Sequence, residues 1–319
     1  MEPALPSSPL LGIDDYRYPG GWAASSHPAE RAFACCRALE EGRILIFAAV
    51  PFELPADDRA FLISQRQTES RFHKNISYRP RQDVMRGTSS ESREDTERLH
   101  GILRRYSAEV TRFLEDFLRP YAGKLALDFA SFRPLEEAGR DLPLHKRNDL
   151  LHVDAFPTRP TRGARILRVF TNIHPQAPRV WRCAEPFHHL APRLAIQAGL
   201  RRFAARGAAP WRPLARNARA VARAVGIPAP DRSAYDEFML RFHDWLKENS
   251  AFQEGAPREP VEFPPGATWL VYTDGVPHAA LSGQYALEQT YIVPREALVW
   301  PQVAPISVLE ELAGCEMGR

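Results

Sequence analysis

The stretch Leu150-Leu151-His152-Val153-Asp154-Ala155-Phe156 holds the only H-x-[DE] motif in a chain with ten histidines. In a strand, side chains at i and i+2 leave from the same face. His152 and Asp154 therefore project together, while Leu151, Val153 and Ala155 face the other way. One imidazole and one carboxylate from a single strand end make two thirds of a facial triad. A histidine from a second strand would complete it and leave three positions open for substrate and O₂, the donor set of a catalytic Fe(II) site. The turn-like Pro157-Thr158-Arg159-Pro160 that follows places the pair at the end of its strand.

PPGATWLVYTDGVPHAALSG supplies the third ligand. Its Gly-Ala turn starts a strand that ends at Thr273-Asp274, and His278 follows a short loop. The competing histidines are placed less well. His174 precedes Pro175 in a turn, His188 and His189 open a helical segment, and His243 sits in a helix beside Trp245, at a packing surface.

Fe(II) alone does not define the reaction; an oxygenase of this class needs 2-oxoglutarate, whose C1 carboxylate and keto oxygen chelate the metal while the far carboxylate needs a buried base. The region past the distal histidine, SGQYALEQTY, has none. Arg168, in ARILRVFTNI, shares a strand face with Phe170 and Asn172 and is the first candidate, with Asn172 beside it. Arg133 in ASFRP is a second, and Arg162 and Arg165 lie nearer the turn.

These residues need short strands to carry them. LALDFASFRP, DLLHVDAF, ARILRVFTNI, ATWLVYTD and EQTYIVP are rich in β-branched and aromatic residues and are punctuated by Gly, Pro and Asp. The pattern predicts a mainly β, α+β domain around a jelly-roll or cupin-like double-stranded β-helix. Ahead of it, 1–25 reads as a loose leader, 28–41 as a helix capped at Gly42, 43–50 as a strand, 57–66 as a helix, 71–95 as a polar loop and Ser92–Tyr121 as a long helix. A helical insertion is expected at about 183–258 within a single domain, 26–319.

The chain has 319 residues, a net charge of +3 and 29 prolines, which argues against a long helical array. Its four cysteines have neither zinc spacing nor a disulfide framework, so a reducing compartment fits. The N-terminus lacks the basic region and apolar core of a signal peptide, and no apolar run is long enough to span a bilayer. Both point to the cytoplasm or to a membrane surface reached from it. Only Lys74, Lys124, Lys146 and Lys247 are lysines; arginines make up the rest of the basic residues.

KNISYRP (74–80), SFRPLEEAGRDLPLHKRNDLLHVDAFPTRPTRGARILRVFTNIHP (131–175) and VPHAALSGQYALEQTY (276–291) resemble the bacterial Kdo 3-hydroxylases. The resemblance covers most of the chain outside the leader. It implies an Fe(II)/2-oxoglutarate/O₂ dioxygenase that hydroxylates C3 of a Kdo sugar attached to lipid A, in the lipopolysaccharide inner core, giving Ko, succinate and CO₂. It carries the iron ligands over as His152, Asp154 and His278. An anionic sugar on a phosphorylated lipid calls for basic and polar residues, and Lys74, Asn75, Tyr78, Arg79, Arg147, Arg159 and Arg162 lie in the matching segments. Other readings are an oxygenase for another small anionic or sugar substrate, a non-catalytic sugar-binding β-helix module, and a nucleic-acid adaptor; the adaptor leaves the matching segments unexplained. Residues 192–226 contain eight arginines, no Asp or Glu, and Leu200, Phe203 and Trp211 between them. A basic amphipathic segment of this kind predicts docking on an anionic membrane face.

Overall fold

The structure is a computed structural model, and it describes residues 8–65, 75–88, 92–207 and 231–318. Among the described residues eleven strands form two sheets. They are β1 (Leu10–Gly12), β2 (Ile44–Phe47), β3 (Ile76–Arg79), β4 (Val84–Arg86), β5 (Ala126–Arg133), β6 (Arg165–Asn172), β7 (Arg179–Cys183), β8 (Val261–Phe263), β9 (Thr268–Tyr272), β10 (His278–Ser282) and β11 (Ala286–Val293). The major sheet runs β1-β2-β9-β6-β11-β5-β3-β4 and the minor sheet β10-β7-β8. From β6 onward the chain passes back and forth between the sheets, and every pair except β1–β2 is antiparallel. This is the expected jelly-roll arrangement of a double-stranded β-helix.

Strand alternation divides the major sheet into two faces. Phe170, Trp269 and Val271 point inward and pack with Trp181, Cys183 and Phe263 of the minor sheet. Leu167, Val169, Leu287 and Tyr291 point outward, against helix α3 (Arg93–Phe117). Leu99, Ile102, Leu103, Tyr106, Val110, Phe113 and Phe117 give α3 one apolar face at helical spacing, and Ser92 caps it by accepting the Asp95 N–H at 3.2 Å. Helices α1 (Pro28–Glu40) and α2 (Ala56–Ser64) extend this layer.

Two stretches differ from the sequence expectation. The 71–95 region contains the edge hairpin β3–β4, because Ile76 and Tyr78 alternate with Ser77 and Arg79 and bury one side. Residues 8–25 are also packed: β1 pairs with β2, and Ile13, Tyr16 and Trp22 are buried in the main core. In the insertion lie α4 (Phe187–Leu194), α5 (Leu200–Gly207), α6 (Ala234–Glu248) and α7 (Ser250–Gly255), followed at the end of the chain by α8 (Pro305–Ala313). Among the described residues no helix is long and apolar enough to cross a membrane.

Candidate metal centre

His152 and Asp154 stand on a short extended segment that joins the free edge of β10. The pairing is reciprocal: His152 N–H donates to the His278 carbonyl at 3.1 Å, and His278 N–H donates back at 2.9 Å. Asp154 N–H donates to the Thr273 carbonyl at 2.9 Å. Gln253 on α7 satisfies both backbone groups of Leu151, accepting its N–H at 3.0 Å and donating to its carbonyl at 2.9 Å. The loop that delivers His278 passes close over the buried Arg165–Asp274 pair. A Cβ on Gly275 would press on the Arg165 guanidinium, which would have to shift from its place beside Asp274.

Ligand atoms of His152, Asp154 and His278 all lie within 4.8 Å of one another, the single such group among the described residues. His152 Nδ1 contacts the Leu150 carbonyl at 2.7 Å and His278 Nδ1 the Val276 carbonyl at 2.9 Å. A carbonyl only accepts, so Nδ1 carries the proton in each ring and Nε2 presents its lone pair. Burial, reinforced by the neighbouring imidazoles, lowers the pKa of His152, and burial also lowers that of His278, keeping both neutral. Burial alone would raise the Asp154 carboxyl, but the Arg168 charge outweighs it and holds it well below the usual range. Asp154 Oδ2 is buried without a hydrogen bond. Two neutral imidazoles and one ionised carboxylate fit an Fe(II) ion. His278 is held from behind by Trp181, stacked at 5.0 Å between centroids.

Arg168 enters this centre from β6, its Nη2 lying 3.0 Å from Asp154 Oδ2 as an ion pair and its Nη1 donating to Glu288 Oε1 at 2.8 Å. Arg133 approaches Glu288 from β5, and its Nε donates to Oε2 at 2.8 Å. Beyond Arg133 come Glu137 at 3.6 Å and then Arg179, which lies 3.2 Å from Glu137. Asp154, Arg168, Glu288, Arg133, Glu137 and Arg179 thus form one ladder of alternating charge.

Arg159 stands nearby, its guanidinium 4.1 Å from the Phe129 ring and 4.2 Å from Phe156, and paired with Asp128. Arg79 covers Phe129 at 4.8 Å. Its pKa is lowered by burial and by Arg86 and Arg159, which marks a basic cluster. The cluster depends on an irregularity in β5. Leu127 and Ala130, three positions apart, pair with Tyr291 and Gln289, two apart, and the extra residue re-aims Asp128 and Phe129.

Other expected residues stand elsewhere. Asn172 donates its amide to the Ala177 and Phe263 carbonyls, both at 3.0 Å, and accepts from His174 N–H; it locks a turn and has no donor left for a co-substrate. Tyr78 faces the helical layer and donates to Asp83 at 3.0 Å, because it sits opposite Ala130 on the outward side of its strand. Arg162 has a positive φ of 53°, which turns it toward Asp231 at 2.6 Å, away from the centre. Arg147 closes on Asp149 at 2.6 Å, and Arg165 is spent on Asp274 on the outward face. Asn75 precedes β3 and is half-buried, whereas Lys74 lies outside the described residues. The sequence reading missed Glu288, Glu137, Arg179 and Gln253. Glu288 carried one signal, its place on the same strand face as Ala286 and Thr290.

A family model for 3-deoxy-D-manno-oct-2-ulosonic acid (Kdo) hydroxylase matches residues 22–316. Three solved structures of the Kdo hydroxylase KdoO, a non-heme Fe(II) alphaketoglutarate-dependent dioxygenase, are similar to this chain, each covering 97% of this chain and 97% of that one. The complex with alphaketoglutarate and Fe(III) is 33% identical with a TM-score of 0.79, and the apo structure is 34% identical with a TM-score of 0.81. The complex with succinate and Fe(III) is 34% identical with a TM-score of 0.78. No curated protein matches the chain.

Proposed function

Since this chain belongs to the Kdo hydroxylase family, we propose that it hydroxylates C3 of a Kdo sugar attached to lipid A, with His152, Asp154 and His278 holding its iron. It is an Fe(II)/2-oxoglutarate-dependent dioxygenase. The observation that carries the site assignment is the convergence of two Nε2 lone pairs and one ionised carboxylate inside the jelly roll. Bound Fe(II) and 2-oxoglutarate supply the oxidation that places a hydroxyl on an unactivated carbon, releasing succinate and CO₂.

The chain's own residues bind, orient and shield. His152 and His278 are presented in one tautomer and Asp154 as an anion, so no proton must leave before the metal binds. Arg168, with Arg133 behind it, offers buried guanidinium charge to the far carboxylate of 2-oxoglutarate. Phe170, Trp181 and Trp269 wall the interior against water. Arg79, Arg86 and Arg159, backed by Phe129 and Phe156, take the sugar carboxylate or its phosphate neighbours.

The acceptor places the enzyme on the cytoplasmic face of the inner membrane. Arg201, Arg202 and Arg206 of α5 are exposed, while Leu200 and Ala204 are buried and Phe203 packs at 5.9 Å on Phe238 of α6. The apolar stripe of α5 is therefore used inside the protein, and its attraction to an anionic bilayer is electrostatic. Residues 208–230, the rest of the basic segment, lie outside the described residues. Succinate release tests the function: it should be strong with Kdo–lipid A, weaker with free Kdo and near background with no acceptor. Equal release in all three would overturn the acceptor assignment.

A further inference from the structure

We propose that Glu288 is a positioning residue that locks Arg168 and Arg133 into one two-guanidinium clamp for the far carboxylate of 2-oxoglutarate. This rests on the co-substrate reading above. Glu288 lies on β11, opposite Phe170 of β6 on one side and Ser131 of β5 on the other, so an arginine from each flanking strand reaches it diagonally. Its Oε1 accepts from Arg168 Nη1 at 2.8 Å and from Thr290 Oγ1 at 3.1 Å. Its Oε2 accepts from Arg133 Nε at 2.8 Å, from Arg133 Nη2 and, at 3.5 Å, from Ser131 Oγ. A carboxylate has about four lone-pair sites. All are taken, which leaves Glu288 no capacity to ligate metal or move a proton.

What remains open is on the arginines. Among the described residues Arg168 Nε is buried without a hydrogen-bond partner, and Arg133 Nη1 meets Glu137 at the longer distance of 3.6 Å. The two guanidinium groups share Glu288, with Asp154 and Glu137 on their outer sides, so the clamp meets an arriving carboxylate with N–H groups and not with net charge. Without Glu288, the two cations would repel each other. Arg168 would then keep Asp154 as its carboxylate partner among the described residues, 3.0 Å away, and would turn from the co-substrate toward the metal ligand. Glu288→Gln is isosteric, yet its amide group turns a donor onto donors.

The experiment is anaerobic titration of the Fe(II)-loaded enzyme with 2-oxoglutarate and with 2-oxobutyrate, which chelates alike but lacks the far carboxylate. The visible absorption of the chelated 2-oxo acid is the readout. Glu288→Gln should weaken 2-oxoglutarate by about ten-fold or more and leave 2-oxobutyrate unchanged, and Glu288→Asp should restore part of the difference. Equal weakening of both acids, or of neither, overturns the proposal. Arg168→Ala and Arg133→Ala are read beside it. If they lose the preference for 2-oxoglutarate while Glu288→Gln keeps it, Glu288 alone is misassigned. If all three keep it, the co-substrate reading fails as well. Should Glu288→Gln not fold, Glu288→Asp carries the same comparison, because its shorter carboxylate reaches one arginine at a time.

Discussion

His243 stands edge-on against His152, with ring centroids 4.8 Å apart and planes at 70°. Its Nδ1 donates to the Val153 carbonyl at 2.7 Å, so α6 is tied to the backbone between the two ligands. His243 is outside the ligand group, and its part is to hold His152 in place. His243→Phe keeps a ring of similar size and loses the hydrogen bond. Metal affinity should fall about 10–100-fold, as it does when ligand-orienting partners are removed. An unchanged metal-binding isotherm would count against this role.

Asp154 is the only anion in the ligand group. Asp154→Ala should retain the fold by circular dichroism and lose turnover by more than about 100-fold, with weaker Co(II) binding. Turnover at the level of the parent enzyme would sink the triad assignment.

Arg159, stacked between Phe129 and Phe156, is assigned to the anionic acceptor and not to the metal. Arg159→Ala should raise KM for Kdo–lipid A by about ten-fold, the loss of one charge-assisted hydrogen bond of about 1.5–3 kcal/mol being partly made up by Arg79 and Arg86. KM for 2-oxoglutarate should stay within a few-fold. A change confined to 2-oxoglutarate would move Arg159 into the co-substrate pocket.

Burial lowers the pKa of His152, His278 and His243, and takes His188 down to about 4. In the unfolded chain a histidine titrates near about 6.5. Below that value the unfolded chain takes up more protons than the folded one, so this contribution is present above pH ~6.5 and is lost as pH falls toward the folded values. Melting of the metal-free protein should be flat from about pH 7 to 8 and drop steadily below about 6.5. A melting temperature that rises on acidification through this range would contradict the buried neutral histidines.

Vesicle sedimentation addresses the basic segment. The protein should bind anionic vesicles at low salt and leave them at high salt. Replacing Arg201, Arg202, Arg216 and Arg223 by Gln removes about 1 kcal/mol per charge, close to a thousand-fold in total. Activity on a soluble Kdo acceptor should be spared. Equal vesicle binding by both proteins would remove this segment as the docking element.

The convergence of His152, Asp154 and His278 and the jelly roll were legible because both depend on local periodicity. H-x-D at a strand end and a histidine after a Gly-led strand fix side-chain direction with no knowledge of the partner strands. Arg168 was legible by the same alternation. Tyr78 was misplaced because 71–95 reads as a polar loop, and without a strand there is no face to assign; β3 buries Tyr78 on the helical side. Asn172 lies on the inward face, but the His174–Ala177 turn uses its amide, a long-range arrangement that spacing does not encode. Glu288 escaped because a base was sought beyond the distal histidine, and an acid stands there to hold bases brought in by two other strands.

The ladder from Asp154 to Arg179 contains three carboxylates and three guanidinium groups, so by itself it is electrically balanced. A divalent cation entering alone leaves this buried region two charges in excess, and a dicarboxylate entering alone leaves it two short. Together they restore balance. Metal and co-substrate are therefore thermodynamically linked, each tightening the other by the same factor. Succinate carries the same double negative charge as 2-oxoglutarate, so electrostatics gives the pocket no means of telling spent from fresh, and release of the co-product must come from the lost chelating keto group.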